Sequence, residues 1–221
     1  MGSRIMHSII AYKITESVSI SDKASFILGG IAPDAVSPKE LSHFFSGEVD
    51  DYSRNVDYEN FIEKYSSVKN NSFILGYYSH LIADDLWLKG FYLPWLKNRM
   101  ENDKNILNLY HGDFQTLNGL LLDYYGVADG IKEIFDSNGS VIDIEEVHSK
   151  DISDFIPYVL EDMKYENTHS KQQLNVFTFE QIIGYIETSI QKGIIHIKPL
   201  LSCCDTTKGQ FSSIKTNDKM M

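Results

Sequence analysis

Gly76-Tyr77-Tyr78-Ser79-His80-Leu81-Ile82-Ala83-Asp84-Asp85-Leu86-Trp87 carries both the fold class and the first chemical lead. Around it, Phe73, Tyr77, His80, Asp84 and Leu88 recur every three or four residues, so they share one stripe of a helix predicted over residues 71–89. A carboxylate on the stripe that enters a core is costly unless a cation compensates it. His80 and Asp84 stand one turn apart and project from the same side, as two ligands of one metal ion must. Read alone, the pair is more often part of an ordinary helix than a metal site, because a single His-x-x-x-Asp spacing is common. Asp85 lies well round the helix from His80 and suits the rim better than the core.

Outward from this helix the pattern stays helical. Ser21 is a candidate N-cap for a helix running to Gly29-Gly30, with Ala32-Pro33-Asp34 as a turn. Residues 37–57 are polar and aromatic without a period and read as a covering loop. Residues 58–68 form a helix on Phe61, Ile62 and Tyr65, and Pro94 starts a short helix within residues 91–100. A long amphipathic helix over residues 103–125 turns Ile106, Tyr110, Leu117, Leu121 and Tyr124 inward. Shorter helices fall at residues 129–135 and 152–163. Another long one, over residues 179–198, carries Ile182, Ile183, Ile186, Ile190, Ile194 and Ile197. Only Val141-Ile142-Asp143-Ile144 hints at a strand. The expectation is an all-α, multi-helix single domain over residues 1–204, followed by a polar, loosely held tail over residues 205–221.

The 221 residues allow one domain with a sizeable core. A net charge of −11, spread along the chain, argues against a stable nucleic-acid partner held by a broad basic surface. No apolar run reaches the roughly 18 residues of a membrane span. The apolar stretch after Met1 is interrupted by His7 and Lys13 and has no small-residue cleavage site, so no secretory signal is read. Cys203 and Cys204 are adjacent, a poor disulfide pair and no zinc motif. These features together point to a cytoplasmic protein.

Polar ligand types occur in the order His7, Asp34, His43, His80, Asp84. Ile31-Ala32-Pro33-Asp34, then Ser42-His43-Phe44, then Gly76 to Asp84 with its His-Leu-Ile-Ala-Asp, resembles the zinc-dependent phospholipase C family. The resemblance spans the first half of the chain, from His7 to Trp87. It implies a helical fold of the phospholipase C and single-strand nuclease type, with zinc held between helices and hydrolysis of phosphate esters. By residue, it implies that Asp34, His43, His80 and Asp84 form one metal site and that His7 helps to hold a second ion bridged by Asp84. Imidazole and carboxylate ligands suit zinc and also accommodate other divalent transition metals. Asp34 is the candidate general base that orients or deprotonates the attacking water.

The chain departs from the family in three places. No tryptophan precedes His7, Gly90 stands where the family has a further histidine, and Gln115 rather than an acid stands four residues after His111. His111 and Asp113 point about 200° apart on a helix, and Asp113, between Tyr110 and Leu117, is the better placed to reach the cluster. One or two ions are therefore expected rather than three. Among Arg4, Arg54 and Arg99, Arg54 in the covering loop is best placed to meet phosphate. His148, His169 and His196 have no partner at ligand spacing. Tyr77, Tyr78, Trp87, Phe91, Tyr92 and Trp95 suit either a core or an apolar substrate cleft.

Each ligand candidate has an ordinary reading too: His7 as a terminal surface residue, Asp34 as a turn or cap, His43 as a satisfied half-buried histidine. In family order they read together as a metal-dependent hydrolase of phosphate esters, acting on a small-molecule or lipid-headgroup ester. The alternatives are a binding protein that keeps the metal or fold without turnover, and a nuclease of the same chemistry.

Overall fold

The computed structural model describes residues 2–137, 139–164 and 173–202, and these are almost entirely helical. In chain order they form α1 (Arg4–Ser17), α2 (Lys23–Ile31), a 3-10 turn (Ala32–Ala35), α3 (Lys39–Ser42), strands β1 (Phe45–Ser46) and β2 (Asn55–Val56), and α4 (Tyr58–Lys64). Then come a 3-10 turn (Ser66–Val68), α5 (Ser72–Trp87), a π-helical stretch (Leu88–Leu96), α6 (Lys97–Asn102), α7 (Ile106–Tyr125), α8 (Ala128–Asp136), α9 (Ser149–Asp162) and α10 (Phe179–Ser202). The fold is all-α, as the periodicity predicts. The expected tail over residues 205–221, Cys203, Cys204 and His169 lie outside the described residues.

The helix α5 is the axis of the molecule, with α2, α10, α4 and α1 packed around it. Every residue of α5 except Leu86 is buried, including His80, Asp84 and Asp85. Such all-round burial is the mark of a central helix. Asn71 starts it, its side chain accepting the N–H groups of Phe73 and Ile74. Against α2 the packing is backbone to backbone. A Cβ on Gly29 would lie 2.1 Å from the Phe73 carbonyl oxygen, and one on Gly76 would lie 1.8 Å from that of Phe26. Only glycine permits this approach, and it brings the end of α2 within hydrogen-bond reach of His80.

Several boundaries differ from the sequence reading. The N-cap of α2 is Asp22, which accepts Ser25 N–H at 2.9 Å, while Ser21 Oγ instead meets Ser72 Oγ at 3.0 Å. The covering loop contains α3 and a small antiparallel hairpin pairing Phe45 with Val56. Residues 141–144 form no strand. Tyr124 is 60% exposed rather than core-facing. Asp85 is buried rather than at a rim and pairs with Lys89 at 2.6 Å. Past Trp87 the helix does not stop but widens: Lys97 N–H reaches Tyr92 C=O, a five-residue step that absorbs Pro94. Proline lacks the N–H of an ordinary turn, and a π-register accommodates the loss. The first helix, α1, has no counterpart in the sequence reading, and almost its whole first half is buried, His7 and Ser8 included.

Candidate metal centre

Four elements deliver five side chains to one point. His7 comes from α1, Asp34 from the turn after α2, His43 from the C-terminal end of α3, and His80 and Asp84 from consecutive turns of α5. All five were singled out in the sequence, and the structure brings all five together. Asp84 is shared: Oδ1 lies 3.4 Å from His7 Nε2, and Oδ2 lies 3.3 Å from His43 Nε2 and 3.4 Å from His80 Nε2. His43 Nε2 is 3.5 Å from Asp34 Oδ1 and 3.4 Å from His80 Nε2. The His7 and His80 rings stack at 3.8 Å. The side chains of His7, His43, His80 and Asp84 are wholly buried, and that of Asp34 is 7% exposed.

The hydrogen bonds outside the cluster fix which nitrogen faces inward. His80 Nδ1 lies 2.8 Å from the Gly30 carbonyl oxygen, which can only accept, so Nδ1 carries the proton and Nε2 presents a lone pair. The Ser42 hydroxyl donates to Pro33 C=O at 3.0 Å and so accepts from His43 Nδ1 at 3.0 Å, which leaves His43 Nε2 unprotonated as well. Backbone carbonyls and hydroxyls in this outer position are what orient metal-binding imidazoles. Neither ring nitrogen of His7 finds a hydrogen-bond partner among the described residues, although the ring is buried.

The lone pairs of His43 and His80 and the carboxylate oxygens of Asp34 and Asp84 thus converge on one point, a donor set that suits a divalent cation. Burial, and then the neighbouring His80, push the His7 imidazole down from 6.5 to about 4. His43 is pushed down by burial too. Burial alone would raise the two carboxyls, but it is outweighed. The neighbouring His43, His80 and Lys39 hold Asp34 well below the usual carboxylate range, and His80 and His7 do the same for Asp84. At neutral pH His7 and His43 are therefore neutral and Asp34 and Asp84 ionised, the protonation states a metal needs. Two overlapping groups, His43-His80-Asp84 and His7-Asp34-His80, can each hold a metal ion.

Two cavities flank the cluster. One of about 530 Å³ is the more polar, with Ser3, Arg4, Asp34, Lys39 and Asp162 in its wall beside Tyr110, Phe114 and Phe155. The other, about 450 Å³, reaches His43 and is largely apolar, with Trp87, Leu88, Tyr92, Leu96 and Met100 in its wall. Of the sequence-marked aromatics, Trp87 and Tyr92 line this cleft, whereas Tyr77 and Tyr78 are core. Arg54 borders the apolar cavity, lies 4.3 Å over the Phe45 ring and donates to Gly47 C=O.

Asp113 does not reach the cluster. Its carboxylate accepts the backbone N–H groups of Asn175, Val176 and Phe177 at 2.7 to 3.1 Å, anchoring the approach to α10. His111 opens onto the polar cavity instead. His196 sits against Tyr78, 3.3 Å from its hydroxyl, and His148 is exposed beside Asp151. The sequence reading preferred Arg54 to Arg4, which is the arginine at the cavity of Asp34, and passed over Lys39 and the orienting role of Ser42. Ser42 was visible beside His43, but its partner, the Pro33 carbonyl, is not a side-chain signal.

Comparison with protein-family models, with curated proteins and with solved structures returns no match.

Proposed function

We propose that this chain is a metal-dependent hydrolase of phosphate esters, with zinc as the preferred ion and a helical domain of the phospholipase C and single-strand nuclease type. One observation carries the reading: five buried ligand side chains have facing atoms 3.3–3.5 Å apart, and one of them, Asp34, lines a cavity together with the cationic Arg4 and Lys39. Four ligands about 2.0–2.1 Å from a tetrahedral zinc ion would stand about 3.4 Å from one another. When bound, zinc supplies Lewis acidity, making water a nucleophile near neutral pH and offsetting charge on phosphoryl oxygens.

The chain's own residues do the rest. His43, His80, Asp34 and Asp84 are the candidate ligands of a first ion, and His7 with the second oxygen of Asp84 those of another. Asp34 stands between the cluster and the polar cavity, where it orients water towards a phosphate. Its carboxyl is held well below the usual carboxylate range, which makes it a weaker base than an ordinary carboxylate and better suited to orienting the water. The buried walls exclude bulk water from the reacting centre, which strengthens each electrostatic contact there. The apolar cavity beside His43 offers room for a hydrophobic part of the ester.

The test is metal content followed by turnover. Protein stripped with chelator, reloaded with zinc and dialysed should retain about one or two ions per chain. It should then hydrolyse bis(p-nitrophenyl) phosphate or a phosphocholine ester, and His80→Ala should abolish both properties. Zinc retained without turnover of any phosphate ester, single-stranded DNA included, would make this a binding protein. No retained zinc would overturn the reading altogether.

A further inference from the structure

Lys39, which lines both cavities, forms an ion pair with Asp34, and the chemistry above leaves it unused. Lys39 begins α3, five residues after Asp34, and its Nζ meets Asp34 Oδ1. That same oxygen faces His43 Nε2 at 3.5 Å. The side chain of Asp34 is 7% exposed and that of Lys39 48%, so the carboxylate belongs to the cluster and the ammonium to the cavity. One oxygen cannot serve a divalent cation and an ammonium equally well: the ion draws on its lone pairs and repels the neighbouring charge. The four-carbon stem of lysine lets the head turn away at little cost. The other cations nearby are already committed elsewhere. Arg4 pairs with Asp162 at 2.7 Å and stacks over Phe155, and Arg54 lies over Phe45. Of these three, Lys39 alone has a partner that a metal would claim.

We infer that Lys39 holds Asp34 in the metal-free protein and turns to the phosphoryl oxygens of a bound ester once a metal takes Asp34. Lys39 then sets phosphate affinity and opposes metal binding. The inference rests on the metal reading of the cluster. As a compact point charge with three donors, lysine meets a phosphoryl group without needing a fixed fork geometry. A lysine that only braced the loop would not give two effects of opposite sign.

The experiment measures zinc affinity by competition with a chromogenic chelator. It then measures binding of phenylphosphonate, whose P–C bond resists hydrolysis, to the zinc-loaded protein by calorimetry. In Lys39→Met, zinc should bind about fivefold more tightly, the scale of one partly exposed ion pair. Phenylphosphonate should bind at least about tenfold more weakly, and Lys39→Arg should restore most of that loss. Unchanged phenylphosphonate affinity in zinc-loaded Lys39→Met, or zinc affinity that stays level or falls, would overturn the role of Lys39 and leave the metal centre standing. Failure of the unaltered protein to bind zinc would overturn the metal reading, and the role of Lys39 with it.

Discussion

Acidifying the metal-stripped protein from pH 7 to pH 4.5 should remove a large part of its stability, and His7 sets the size of the effect. In the unfolded chain its imidazole takes up a proton near 6.5, whereas in the fold it resists protonation until about 4. Between those values the unfolded state binds the extra proton, so stability falls as pH falls. The window at about 1.4 kcal/mol per pH unit gives about 3 kcal/mol, complete only near pH 4. His43 is shifted in the same direction and adds to the loss. Asp34 and Asp84 titrate well below 3.8, so the stability they contribute is lost only at lower pH. Against a typical total of about 5–15 kcal/mol this is readily measured. Urea unfolding at pH 7.0, 6.0, 5.0 and 4.5, followed by far-UV circular dichroism after chelation, should show a steadily falling midpoint. His7→Gln, which cannot titrate, should flatten the trend relative to the unaltered protein. A midpoint level across this range, or the same slope in His7→Gln, would refute the assignment of a buried neutral imidazole at His7.

The other predictions concern what holds the cluster in place. Ser42→Ala removes the acceptor of His43 Nδ1 and should weaken zinc affinity about tenfold or more, read by chelator competition, with a near-native melting temperature. Gly76→Ala drives a methyl into the Phe26 carbonyl of α2, so thermal unfolding should show a loss at or above the usual overpacking cost of about 1–3 kcal/mol. Asp113→Ala strands three buried or half-buried N–H groups ahead of α10 and should lower stability by about 3 kcal/mol or more in urea titration, while metal content per folded chain stays the same.

How much of this could be read from the chain depends on the range of the interaction. The stripe of α5 was legible because His80 and Asp84 recur with the helix period, and the capping pattern of α2 placed its start within one residue. The convergence of His7, Asp34 and His43 was legible only through the family-like order of motifs, since nothing local says that three separate elements share a point. Asp113 looked like a ligand because a carboxylate on an inner stripe needs compensation. Its compensation is a row of N–H groups more than sixty residues away, which no periodicity reveals. Gly29-Gly30 reads as a helix end, yet Gly29 works as a contact surface, because the consequence of a missing Cβ depends on what lies opposite. Lys39 escaped notice for a related reason: its significance lies in sharing one oxygen with His43.

The same geometry explains how a fold can bury such a site at all. Burying two carboxylates and three imidazoles at one point carries a desolvation cost of several kcal/mol per charged group, which the neighbouring groups offset. The arrangement persists because the surrounding packing leaves it no room to relax. His80 is held by the Gly30 carbonyl, which the Gly29–Phe73 and Gly76–Phe26 contacts bring close. His43 is held by Ser42, itself tied to Pro33, and Tyr77 donates to the Ser42 carbonyl. Each ligand is thus positioned by neighbours that take no part in the cluster. A metal ion entering would meet donors already oriented, so most of its binding energy would appear as stability rather than be spent on rearrangement.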